Sequence, residues 1–91
     1  MKNYLVTFQE SGEDNAIRIK ALLEQLDPDN WVEVSHNQMA VRVDSGASQL
    51  RAELRPALKT GQTVSVFEIK SFSCSASGVT DELTNRGYTI Q

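Results

Sequence analysis

The chain has 91 residues, 40% of them apolar and 23% charged, and a formal charge of −3. That is enough for one small domain with one core, and too little for two. The acidic balance leans against nucleic acid as an obvious partner, no run reaches the roughly 18 apolar residues of a membrane span, and a single cysteine, Cys74, excludes an internal disulfide.

The opening stretch "MKNYLVTFQE" reads as a strand and lacks the apolar core and small-residue cleavage site of a signal peptide, so a cytoplasmic setting is expected. Residues 4–8, "YLVTF", are aromatic and β-branched, as strands prefer, and nearly all apolar, which suits a central strand. Over residues 14–26 the period changes: Ile19, Leu22, Leu23 and Leu26 fall on one helical face. Pro28 disfavours helical geometry at Asp27 and ends that helix. Residues 31–35, "WVEVS", and 39–43, "MAVRV", read as two short strands joined by "HNQ" in a hairpin.

A second helix is expected from about residue 46 to 59, with Ala47, Leu50, Leu54, Ala57 and Leu58 as its apolar stripe. Asp44, Ser45 and Ser48 are candidate caps. Pro56 would bend or end the last turn, because proline inside a helix removes a donor. Residues 63–70, "TVSVFEIK", make a further strand. In "SFSCSASG", Phe72, Cys74 and Ala76 alternate with serines, a strand pattern, although the serine-rich composition also fits a loop. "VTDELTNRG" reads as a short helix that Thr80 caps and Gly87 closes.

The order β-α-β-β-α-β with a C-terminal extension predicts an α+β, ferredoxin-like domain over residues 1–91: an antiparallel sheet with two helices on one face. Residues 71–91 are then a tail or a dimer arm. The strands carry apolar residues on both sides: Tyr4, Val6 and Phe8 against Leu5, and Val64 and Val66 against Phe67 and Ile69. A sheet apolar on both faces calls for a second cover. A partner sheet from another copy is the economical one, with Phe72, Cys74 and Ala76 as candidate contacts between copies.

With its "YLVTF", "WVEVSHNQMAVRV", "SGASQLRAELRPAL" and "TVSVFEI" segments, covering roughly residues 4 to 70, the chain resembles the CRISPR-associated Cas-two proteins and, more closely, the SinR-like proteins that share their fold. The resemblance implies a ferredoxin-like homodimer with its sheets packed face to face, and an arm after the fourth strand that pairs with the partner's sheet. It also implies a nuclease Asp just past the first strand, one from each copy, around a divalent ion. Here that position is Gln9, after Phe8, and a neutral amide is a poor ligand for Mg²⁺. Glu10 stands one residue late, which in an extended strand points it to the opposite face. Glu10 with Glu13 or Asp14 is therefore the alternative metal site. The plainer reading places Glu13 and Asp14 at a helix N-terminus, where the dipole favours acids.

Other residues carry weaker signals. His36, the single histidine, falls in the hairpin turn and reads as solvent-facing rather than as a general base. Cys74 has no CxxC companion and reads as a small apolar packing residue. Arg51, Arg55 and Lys59 recur every four residues and form a line along which a nucleic-acid backbone could lie; a solvated helix edge accounts for the same spacing. Trp31 reads as a core or interface anchor. The expectation is a non-catalytic homodimeric module of the SinR or Cas-two type that binds protein or nucleic acid, with no cofactor, no metal and no membrane association. A metal-dependent endonuclease using Glu10 is the alternative.

Overall fold

The computed structural model describes residues 1–9 and 14–91. The readings placed on Glu10 and Glu13 lie outside the described residues. Four strands, β1 (Lys2–Phe8), β2 (Val32–Ser35), β3 (Gln38–Val43) and β4 (Val64–Glu68), form one antiparallel sheet in the order β2-β3-β1-β4. Three α-helices are α1 (Asp14–Leu26), α2 (Ala47–Leu54) and α3 (Ser77–Asn85), and a 3-10 turn spans Arg55–Ala57. β1 is central, as its nearly all-apolar run over residues 4–8 implies, paired with β3 on one side and β4 on the other.

The alternation of side chains along each strand divides the sheet into two faces. On the first face Tyr4, Val6 and Phe8 of β1 meet Met39 and Val41 of β3 and Val64 of β4. Ile19 and Leu23 from α1 and Leu50 and Leu54 from α2 pack onto them, so the two helical stripes read from the sequence both find this face. Arg18 of α1 donates from Nε to the Ala57 carbonyl at 3.0 Å, tying α1 to the 3-10 turn. Glu33 lies on the same face at the outer strand and pairs with Lys20 of α1 at 2.8 Å.

Several local expectations are revised. The hairpin turn is His36–Asn37, with a register shift between Glu33 and Ser35. The second helix is shorter than its stripe: α2 ends at Leu54 and a 3-10 turn carries the stripe on, because Pro56 sits at the start of that turn, where its missing N–H costs nothing. Asp44, Ser45 and Ser48 do not cap α2; Gly46 occupies the cap position with no side-chain bond. Thr80 lies inside α3, and its hydroxyl bonds the carbonyls of Cys74 and Ala76 at 3.0 and 3.1 Å.

Gly87 closes α3 as expected. Its φ of +95° lets the Tyr88 N–H reach the Leu83 carbonyl at 3.0 Å and its own N–H reach Thr84 at 3.1 Å. This is a Schellman ending, and it brings Tyr88 against Leu83, the apolar contact that accompanies such endings. The chain after β4 thus forms a folded strap, residues 71–91, laid on the second face.

Candidate binding face

The second face is built from Val32 of β2, Gln38, Ala40 and Arg42 of β3, Asn3, Leu5 and Thr7 of β1, and Ser65 and Phe67 of β4. One cross-strand row runs Val32–Ala40–Leu5–Phe67. Its cover fades along the row: Val32 and Ala40 are fully buried, Leu5 is half-buried, and Phe67 is 55% exposed. The reason is the strap. Leu83 and Tyr88 pack on Val32 and Ala40, with Val34, Ile69, Phe72 and Val79 at the margin, and the cover stops before β4. The two-sided apolar pattern of the strands therefore has two explanations in one molecule. The chain's own C-terminal segment satisfies the β2–β3 half, and the β1–β4 half stays open.

Polar contacts hold the strap in register. Arg42 donates from Nε to Asn3 Oδ1 at 2.9 Å and from Nη1 to the Arg86 carbonyl at 3.0 Å, and its guanidinium lies 6.0 Å from the centroid of the Tyr88 ring. Arg86 donates to the Asp29 carbonyl, and the Tyr88 hydroxyl to the Asn30 carbonyl at 3.0 Å. Burial pushes the Tyr88 phenol well above its usual range, the nearby Asp27 carboxylate adds to this, and Arg42 and Arg86 oppose it. Asp27 is itself buried and works as a joint. β2 begins at Val32, opposite Ala40, so the Arg42 N–H further along β3 has no partner on β2; the Asp27 carboxylate accepts it at 2.8 Å and also accepts from Asn30 at 3.2 Å.

Gln9, at the position where the resemblance implies a nuclease Asp, has a structural part. Its amide oxygen accepts from the Thr63 N–H at 3.0 Å while its own N–H bonds the Thr63 carbonyl at 3.2 Å, so β1 and the chain before β4 are pinned beyond the last strand pair. The Gln9 carbonyl accepts from the buried Asn15 side chain, whose Oδ1 takes the Ala16 N–H at 2.9 Å. Asp14 occupies the first turn of α1, where the dipole favours an acid.

The remaining candidates are dispersed. Arg51 is exposed on α2, and Lys59 is exposed beyond the 3-10 turn. Arg55, between them, directs one guanidinium nitrogen to the carbonyls of Leu58 and Lys59 at 3.4 and 3.3 Å, so it closes the turn that follows it. Phe72 is half-buried and bridged in parallel to the chain's own Ile90, with Phe72 N–H to Thr89 at 2.9 Å and Gln91 N–H to Phe72 at 3.0 Å. The alternating serine segment makes this single bridge rather than a continuous strand. Cys74 is a free, half-buried thiol, and Ala76 is exposed at the cap of α3. His36 is exposed in its turn. Trp31 packs at the edge of the first core and donates from Nε1 to Glu24 at 2.5 Å.

Among the described residues, no group of three His, Cys, Asp or Glu side chains is arranged to hold a metal ion, and no helix is long and apolar enough to cross a membrane. Compared with family models, with curated proteins and with solved structures, the chain matches none.

Asp27, Asn15, Arg42 and Tyr88 were missed by sequence reading. "DPDN" carried a signal for a turn, and it does end α1; nothing in it says that the aspartate side chain would cap a strand 15 residues away.

Proposed function

We propose that the chain is a non-catalytic assembly module of the SinR or Cas-two type: a ferredoxin-like domain that forms a homodimer through the open half of its second sheet face. The strand order β2-β3-β1-β4, with α1 and α2 on one face, is compatible with the ferredoxin-like arrangement. The observation that carries the dimer is the gradient of cover along Val32–Ala40–Leu5–Phe67, which ends in a phenylalanine 55% exposed on the sheet. Large aromatic residues gain most from burial at an interface. A two-fold contact presents the same patch from both copies, so Leu5 and Phe67 of one copy would cover those of the other.

The dimer buries a neutral surface. Thr7 and Ser65 flank Leu5 and Phe67 on this half of the sheet, and no charge intervenes between them. Arg51 and Lys59 lie outside this contact, and any nucleic-acid binding by the module would fall to them. The position of Gln9, engaged with Thr63 through both side chain and backbone, supports the non-catalytic reading.

The test is sedimentation equilibrium on the protein and on Phe67→Asp. The expected result is a dimer that becomes a monomer in the variant, with an unchanged circular dichroism spectrum. A monomer at high micromolar concentration for the unaltered chain would overturn the dimer. Cleavage of RNA or DNA in Mg²⁺ or Mn²⁺ that is lost in Glu10→Ala would replace the non-catalytic reading with the endonuclease.

A further inference from the structure

Where the chain leaves β4 it turns back over the second face, and a groove of about 450 Å³ opens between the strap and the sheet. Leu5 and Ala40 form its floor. Ile69, Phe72, Leu83 and Tyr88 line its sides. Gln38 and the serines at 71, 73 and 75 supply amide and hydroxyl groups around it, and Cys74 lines it as well. The volume lies within the span of roughly 300–1,000 Å³ that small-molecule sites occupy, and the pattern of apolar walls with a few polar groups is theirs too.

Charge separates this groove from the rest of the surface. Among the described residues its lining includes no charged side chain, in a chain that is 23% charged. The neighbouring cleft between α1, β2 and α3 is the opposite, bounded by Glu24, Glu33, Glu82 and Arg86. A nucleotide, a metal ion or an ionised acid or amine entering the first groove would lose hydration and find no counter-charge, which is costly. A neutral guest loses little and gains the apolar floor. The groove is also concave, bounded on both sides by this chain's own side chains, so it suits a compact guest better than the flat face of another sheet. Phe67, the proposed contact between copies, is not part of the lining, and the two surfaces meet only at Leu5, which belongs to both.

We infer that this groove binds a small, neutral, largely apolar aromatic molecule, its ring against Leu5, Ile69 and Phe72 and its polar group among the serines and Gln38. The strap then has a second role besides covering the β2–β3 half: it supplies the walls of the site.

The experiment is a titration of the intact protein with N-phenyl-1-naphthylamine, a neutral aromatic fluorophore, alongside alkylation of Cys74 by iodoacetamide. The expected result is saturable binding of one probe per chain, with Cys74 alkylation slowed about tenfold at probe saturation. Cys74→Phe and Val34→Phe, which fill the groove from two sides, should each weaken binding by about tenfold, equivalent to about 1.4 kcal/mol. Thermal melts check that the variants are folded, and protection of Cys74 in the unaltered chain decides the matter if they are not. Absence of saturable binding, or binding indifferent to both variants and to Cys74 protection, would overturn the assignment. Alkylation that slows with rising protein concentration and no probe would give the groove to a second copy, and would also overturn it. Loss of the dimer in Phe67→Asp with probe binding retained would leave the ligand site standing, so the two readings fail separately.

Discussion

The two faces of the sheet are covered by different means. The first face carries two helices whose apolar stripes run their full length, and its core of twelve buried residues draws on every strand but β2. The second face has a core of four buried residues, Val32, Ala40, Leu83 and Tyr88, and a single short helix of which only Leu83 is buried. The first is held by area and the second by a few polar bonds around a small apolar contact. The difference teaches that cover on the second face is local. The strap can be weakened without the body, and what it leaves open, the β4 half and the groove, is where a partner or a ligand can gain most.

The comparison can be broken by truncating one leucine on each side. Leu23→Ala, in the first core, is expected to cost about 2–5 kcal/mol of global stability, the span seen for buried leucines. Leu83→Ala, in the second, is expected near the low end, about 2 kcal/mol, because fewer atoms surround it. Its signature should differ in kind: faster amide exchange within residues 71–91 while β1, β3 and the first two helices keep their protection. Hydrogen exchange on both variants is the check. Equal loss of protection throughout the chain in Leu83→Ala would show that the strap and the body unfold as one unit.

Gly87 sharpens the same contrast. Its φ of +95° is one that residues with a side chain rarely adopt, and a Cβ there would collide with the Arg42 guanidinium. Gly87→Ala is therefore expected to cost about 1–3 kcal/mol from the left-handed strain. Arg42 would have to leave the Arg86 carbonyl, so the loss should concentrate in the strap. A lowered denaturant midpoint, equivalent to that free energy through the unfolding slope, with exchange raised most in α3, is the expected outcome; an unchanged midpoint would show that α3 does not depend on this ending.

The helical stripes of α1 and α2, the nearly all-apolar run of β1 and the closing glycine at 87 were legible because each is a short-range pattern with a local cause. The fate of the second face was not. The sequence shows that Leu5, Phe67 and Ile69 need cover, but which segment reaches them depends on contacts between residues far apart, such as Arg42 with Arg86 and Tyr88 with Asn30. Whether Phe72, Cys74 and Ala76 lie in a strand or a loop stayed open for the same reason. Alternation gave a period, and only the return of the chain at Thr89–Gln91 limits it to one bridge at Phe72. Asp27 looked like part of a turn because nothing in "DPDN" reveals that β2 starts too late to pair with the Arg42 N–H.

The smallest effect expected is at Tyr88, and its sign tests whether the strap is held by a buried neutral phenol. The hydroxyl donates to the Asn30 carbonyl at 3.0 Å, so Tyr88→Phe removes one hydrogen bond and leaves a carbonyl acceptor unpaired, a loss of about 1 kcal/mol. The pH dependence adds to this. Burial holds the folded-state phenol above the value of about 10 that it has in an unfolded chain. The proton is thus kept more tightly when the strap is docked. The stability this represents is fully present below about pH 10 and is lost as pH rises from there towards the folded value, because the undocked chain ionises first. The near-ultraviolet absorbance of tyrosinate reads this ionisation directly. The two tyrosines, Tyr4 and Tyr88, can be separated by titrating Tyr88→Phe beside the unaltered chain. The expected difference is one phenol that ionises late and in step with loss of α3. A Tyr88 that titrates near pH 10 while α3 stays docked would mean that its ring is wet, and that the second face is held by Leu83 and the Arg42 contacts without it.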